Sequence, residues 1–177
     1  MLDPALLKQE AIAQAGLSRF GDAPMDEGLK RFTWSLNNEA RLVGRQCEIA
    51  RSAIVATLVQ RLKIEDFLVG HPEVLDEVVA RPLFVISLPR TGSTATSQFL
   101  SEDPASRSLR RWEHLDVIPP PDAAIGDADP RLAAMQSQFQ ELYRLQPERR
   151  GMLPVDAKDP SEHGPLLGLT FQNLQMP

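Results

Sequence analysis

The sequence has 177 residues, 42% hydrophobic, 24% charged and 6% aromatic, the composition of a chain that folds around a core, which excludes disorder or low complexity for most of its length. Nineteen Lys and Arg stand against 24 Asp and Glu, a net charge of −5, which argues against a nucleic-acid coat or an anionic-membrane binder. The single cysteine, Cys47, excludes a disulfide framework and a Cys-based zinc site, and its place in a helical pattern makes it a small core residue.

The first 80 residues predict helices. One covers residues 4–15, with Pro4 in its first turn and Gly16 just past its end. Leu29, Phe32, Leu36, Ala40 and Val43 recur at i, i+3, i+7, i+11 and i+14, one face of a second helix. Ile49, Ala53, Ala56, Leu58 and Leu62 mark a third, and a short helix is expected at 72–79. Nothing in this region reads as catalytic. The opening Met1-Leu2-Asp3-Pro4 lacks a basic n-region and an apolar h-region, and no apolar run approaches a membrane span, so a cytoplasmic location without a membrane anchor is expected.

At Arg81 the period changes. Pro82-Leu83-Phe84-Val85-Ile86-Ser87-Leu88 is an almost continuous apolar run rich in β-branched and aromatic residues, which predicts a strand buried on both faces of a parallel sheet. Pro89-Arg90-Thr91-Gly92 forces a turn, and Ser93 to Leu100 can form a helix that stops near Pro104. Arg107 to Arg111 reads as a weak second strand. Ten of the 15 prolines follow Asp103, and Pro119-Pro120-Pro121 predicts an extended, polyproline-like connection. Asp129 and Pro130 then open a helix with the stripe Leu132, Met135, Phe139 and Leu142. Residues 151–177 carry only weak signals. The expected architecture is therefore α/β: a P-loop-type parallel sheet with flanking helices, preceded by a helical region. One strong and one weak strand are too few for such a sheet, so the α/β domain is expected to be incomplete. The division is 1–80, helical, and 81–177, the first part of a truncated domain.

The turn after the strand carries the chemistry. Ser87-Leu88-Pro89-Arg90-Thr91-Gly92-Ser93-Thr94 has the layout of a phosphate-binding loop. Gly92 lets the backbone approach an anion, and the following helix N-terminus offers N–H groups and a positive dipole end. Ser93 and Thr94 add hydroxyl donors, and Arg90 adds a permanent charge with a bidentate fork. Against the nucleotide-triphosphatase pattern G-x-x-x-x-G-K-[ST], Ser87 replaces the first glycine and Ser93 replaces the lysine, which disfavours ATP or GTP hydrolysis. A plain β-turn-α connection is the blander reading of the same residues.

The stretch from Pro82 to Thr94 resembles the 5′-phosphosulfate loop of sulfotransferases that use 3′-phosphoadenosine-5′-phosphosulfate (PAPS), above all their bacterial branch. Asp103-Pro104, Trp112-Glu113, the proline run 119–121 and Asp129-Pro130-Arg131 follow in the order of that branch, and the resemblance extends over most of residues 15–170. It implies transfer of a sulfuryl group from PAPS to a hydroxyl or amine of a small-molecule acceptor, without a metal. Arg90, Thr91, Gly92, Ser93 and Thr94 would hold the 5′-phosphosulfate, and Arg90 would stabilise the charge growing on the bridging oxygen. Family branches use His or Glu as the general base after this loop. Glu113 is the first candidate here, at the end of the weak strand, and His114 the second, on its unperturbed pKa. A capping or surface carboxylate is the competing reading of Glu113, and a structural histidine that of His114. Arg107, Arg110 and Arg111 suit either an anionic ligand or a solvated edge. Trp112 reads as packing, and His163 as a surface histidine.

The family's 3′-phosphate site uses an Arg and a Ser from a later strand-helix segment, and no matching segment is found within these 177 residues. The resemblance is therefore to the N-terminal half of a sulfotransferase, and the chain alone is expected to have little activity. The alternative is a non-catalytic helical interaction module with a vestigial phosphate loop. A P-loop kinase-like enzyme is a weaker third reading. An incomplete sheet would also leave apolar edges open to self-association.

Overall fold

Helix α1, Pro4–Ala15, begins under the carboxylate of Asp3, which accepts the N–H groups of Ala5 and Leu6, and ends at Gly16. Leu7 and Ala11, one turn apart, are its buried residues. They face α3, Arg45–Gly70, which buries Ile54, Val55, Leu58 and Leu62 along a single stripe. Helix α2, Met25–Asn38, adds Met25 and Leu29 to the same core. A short 3₁₀ turn, Pro72–Asp76, follows α3. In this computed structural model the described residues are 1–21, 24–88, 91–152 and 155–172.

The chain divides into two compact units. The first joins Met1–Glu77 to the segment from His163 onward. Helix α7, Gly164–Gly168, belongs to it, as does Phe171, which is 6% exposed and lies 6.1 Å from Phe32, ring centre to ring centre. The sequence division had placed these last residues with 81–177, where no periodic pattern marked them. Cys47 is half-buried on α3 and stands outside the core cluster.

The second unit is Val78–Glu162. It holds α4, Ser93–Ser101, α5, Pro130–Leu145, and the short α6, Glu148–Met152. Two 3₁₀ turns, Arg111–His114 and Gly126–Ala128, lie between α4 and α5. Trp112, Leu132, Met135 and Ala157 form its core, with Leu115 and Phe139 packed around them. Residues 155–161 run beside residues 109–112. Arg111 N–H donates to Asp159, Trp112 N–H to Ala157, and Ser161 N–H to Leu109. The Tyr143 hydroxyl donates to the carbonyl of Val155 and accepts its N–H.

The expected P-loop-type parallel sheet is not formed among the described residues. Among the described residues no strand is formed, and the one β-bridge is an isolated antiparallel contact of Arg110 with Pro160. Residues 82–88 have no helix, turn or bend, and their apolar side chains lie open to solvent. A strand exists only through hydrogen bonds to a neighbour; the run has the composition of a buried strand but no partner strand among the described residues. The weak second strand at 107–111 is likewise replaced by irregular chain leading into the Arg111–His114 turn. The Pro119–Pro121 run contains a cis Ile118–Pro119 peptide and bends at Ile118 and Pro119 instead of extending uniformly. No helix among the described residues is long and apolar enough to cross a membrane.

Candidate functional site

The loop that reads as phosphate-binding leads directly into α4. Gly92 stands at the cap position of that helix with φ 91°, a left-handed conformation that costs a residue with a Cβ but not glycine. Among the described residues no side chain caps the helix, and N–H groups of a first turn left so can meet an anion. The Thr91 hydroxyl donates to the carbonyl of Leu88 at 2.7 Å, which closes the turn. Thr96 N–H donates to the carbonyl of Gly92 at 3.0 Å, the first rung of the helix. Ser93 and Thr94 follow, both half-buried. Arg90, the expected charge on the bridging oxygen, lies outside the described residues, as does Pro89.

The two candidate bases sit in the Arg111–His114 turn and are held quite differently. Glu113 is 7% exposed. One of its oxygens accepts the N–H of Arg110 at 2.9 Å and the other accepts the Arg107 guanidinium at 3.0 Å. His114 is half-buried, and its Nδ1 shares a hydrogen bond of 2.8 Å with the Ser161 hydroxyl. Burial, and then the positive charge of Arg111, hold its pKa below the ordinary 6.5, so the ring is neutral at pH 7 and able to take a proton. The structure thus groups Glu113 with Arg107 and Arg110, and His114 with Arg111 and Ser161. Asp159 connects this turn to α4: its carbonyl accepts from Arg111 N–H at 3.0 Å, and its carboxylate lies 3.4 Å from the Gln98 amide. An open, polar cavity of about 590 Å³ runs along this seam, lined by Gln98, Ser101, Glu102, Arg110, Trp112 and Lys158 among others. His163 falls in the other unit.

Arg131 was missed in the sequence as a side chain that organises this region. Its guanidinium donates to both oxygens of Asp129 (Nε to one at 3.0 Å, Nη2 to the other at 2.6 Å). Nη1 donates to the carbonyls of Asp116 and Pro119 at 2.7 and 2.6 Å. The charge lies 5.1 Å from the centre of the Trp112 ring, within cation–π range. Hydrogen bonding to Arg131 holds the Asp129 pKa below the usual carboxylate value, and the same contact raises that of Arg131. The Asp129-Pro130-Arg131 signal was legible as a helix cap; that its Arg clamps the proline connection was not. Among the described residues, no group of three His, Cys, Asp or Glu side chains is placed to hold a metal ion.

Two solved structures are similar to the chain. The sulfotransferase STF9 from Mycobacterium avium superposes with a TM-score of 0.81 at 32% identity, over 96% of this chain. The chain is sulfotransferase-like. A second neighbour, the sulfotransferase STF1 from Mycobacterium tuberculosis, gives a TM-score of 0.81 at 26% identity, over 98% of this chain. The chain spans 44% of the first neighbour and 48% of the second, less than half the length of each. No family model matches the chain, and no curated protein does. The structural likeness and the resemblance in the sequence, over most of residues 15–170, name the same family.

Proposed function

We propose that the chain supplies the sulfuryl-donor loop of a PAPS-dependent sulfotransferase, with Arg90, Thr91, Gly92, Ser93 and Thr94 on the 5′-phosphosulfate. The observation that carries this reading is the uncapped α4 N-terminus behind a left-handed Gly92, in a chain similar to two sulfotransferases. Backbone N–H groups at such an end suit an anionic oxygen, and the Ser93 and Thr94 hydroxyls suit the remaining acceptors.

In the reaction, the acceptor's hydroxyl or amine attacks sulfur. The bond between sulfur and the bridging oxygen breaks, its electron pair stays on that oxygen, and adenosine 3′,5′-bisphosphate leaves. The donors at 90–94 stabilise the charge that gathers there. The acceptor's proton goes to a base, for which Glu113 and His114 are the candidates. His114 keeps its second ring nitrogen for that task, whereas both oxygens of Glu113 already accept hydrogen bonds.

Calorimetric titration of the purified chain with adenosine 3′,5′-bisphosphate tests the reading. Arg90→Ala removes a charge-assisted contact and should weaken binding roughly 10- to 100-fold. Preference for ATP with Mg²⁺ would instead favour kinase-like chemistry, and binding of neither nucleotide would favour an interaction module with a vestigial loop. Turnover of PAPS by these 177 residues should be slight, because they contain no segment matching the family's 3′-phosphate site.

A further inference from the structure

We propose that Ser161 is a positioning residue for His114: its hydroxyl accepts the Nδ1–H of the ring and so leaves the lone pair of the neutral imidazole on Nε2. The two side chains stand 47 positions apart in the sequence and meet at 2.8 Å. Both residues are half-buried. The backbone fixes Ser161 in place. Its N–H donates to the carbonyl of Leu109 at 2.7 Å, and Pro160 before it makes the antiparallel bridge to Arg110, at the entrance of the Arg111–His114 turn. His114 is thus oriented from a second segment of its own unit as well as by the turn that carries it.

The direction of the bond follows from counting protons. A serine hydroxyl has one hydrogen to donate and two lone pairs that accept, and a neutral imidazole has one N–H and one bare nitrogen. Besides His114 Nδ1, the Ser161 oxygen meets the carbonyl of Glu162 at 3.3 Å, and a carbonyl only accepts. If the hydroxyl points at Nδ1, that second contact sets two oxygens together with no hydrogen between them. If it points at the carbonyl, Nδ1–H donates to Ser161 and both contacts become hydrogen bonds. The bond made at one ring nitrogen then decides the form of the other. A bare Nε2 is what a base needs: its lone pair takes the acceptor's proton, and Nδ1–H stays on Ser161 as the ring becomes positive. This part in the reaction rests on the sulfotransferase reading with His114 as the base; the tautomer itself does not.

Long-range nitrogen–proton NMR of the histidine rings tests it, on the chain without nucleotide and at a pH well above 6.5, where the His114 ring is neutral. In the native chain Nδ1 of His114 should give the signal of a protonated nitrogen and Nε2 that of a bare one. In Ser161→Ala the Nδ1–H form should no longer be the major one, and Ser161→Thr, which keeps the hydroxyl, should restore it. His71, in the other unit, should give the same signals in all three proteins. A native ring with its proton on Nε2 overturns the proposal, even if a variant fails to fold. So does a Ser161→Ala ring that keeps the native pattern, or a loss that Ser161→Thr does not restore. No nucleotide enters this measurement, so a chain that fails to bind adenosine 3′,5′-bisphosphate would overturn the donor-loop reading and leave the tautomer standing, and the reverse outcome would remove Ser161 and leave the loop.

Discussion

Glu113 accepts the backbone N–H of Arg110 at 2.9 Å with one oxygen, while the other receives the guanidinium of Arg107 at 3.0 Å. The carboxylate therefore holds the start of the Arg111–His114 turn from inside the second unit. Removing it leaves the Arg110 N–H without its acceptor, a loss of about 1–3 kcal/mol. Glu113→Ala should lower the melting temperature by about 2–8 °C. Glu113→Gln keeps an amide oxygen for Arg110 and should lose less. Thermal denaturation of the two variants followed by circular dichroism separates these outcomes; equal melting temperatures for all three proteins would show that the turn does not depend on the carboxylate.

His114 makes the stability of the second unit depend on pH. Its pKa is lowered in the folded chain, chiefly by burial and then by Arg111, so the unfolded chain binds the proton more readily. The stabilisation is complete above the ordinary value of 6.5. It is lost as pH falls from there through the lowered folded value. Denaturant midpoints measured down a pH series should fall more for the native chain than for His114→Gln across this window. Parallel curves would remove His114 as the cause.

Gly28 on α2 passes against the C-terminal segment of its own unit. A Cβ at this position would lie 2.6 Å from the carbonyl oxygen of Thr170 and 2.8 Å from that of Phe171. Backbone atoms cannot swing aside as a side-chain tip can, so even Gly28→Ala should cost about 1–3 kcal/mol, despite the better helix propensity of alanine. The expected signature is a lowered unfolding midpoint together with proteolytic exposure of the segment after His163. A midpoint equal to or above that of the native chain would show that residues 170–171 yield without cost.

Where a helix is bounded by its own caps the sequence was enough, whereas the stripe read for α2 ran on to Ala40 and Val43, beyond its last residue, Asn38. Pro4 and Gly16 bounded α1, Asp129 and Pro130 opened α5, and Gly92 led into α4. Each of these signals acts within one or two turns of chain. The loop proposed to hold the donor rests on the same kind of local signal, an order of Arg, Gly, Ser and Thr. What residues 82–88 do was not legible, because an apolar run records a preference for burial and not the existence of a partner strand. Only the tertiary structure showed that Glu113 is held by Arg107 and Arg110, that Arg131 clamps Asp129 and the carbonyls of Asp116 and Pro119, and that Phe171 returns to the core of the first unit. Apart from the short-range Glu113 and Asp129 contacts, these contacts join residues more than ten positions apart. Their formation is set by how the intervening chain packs, which no local pattern encodes.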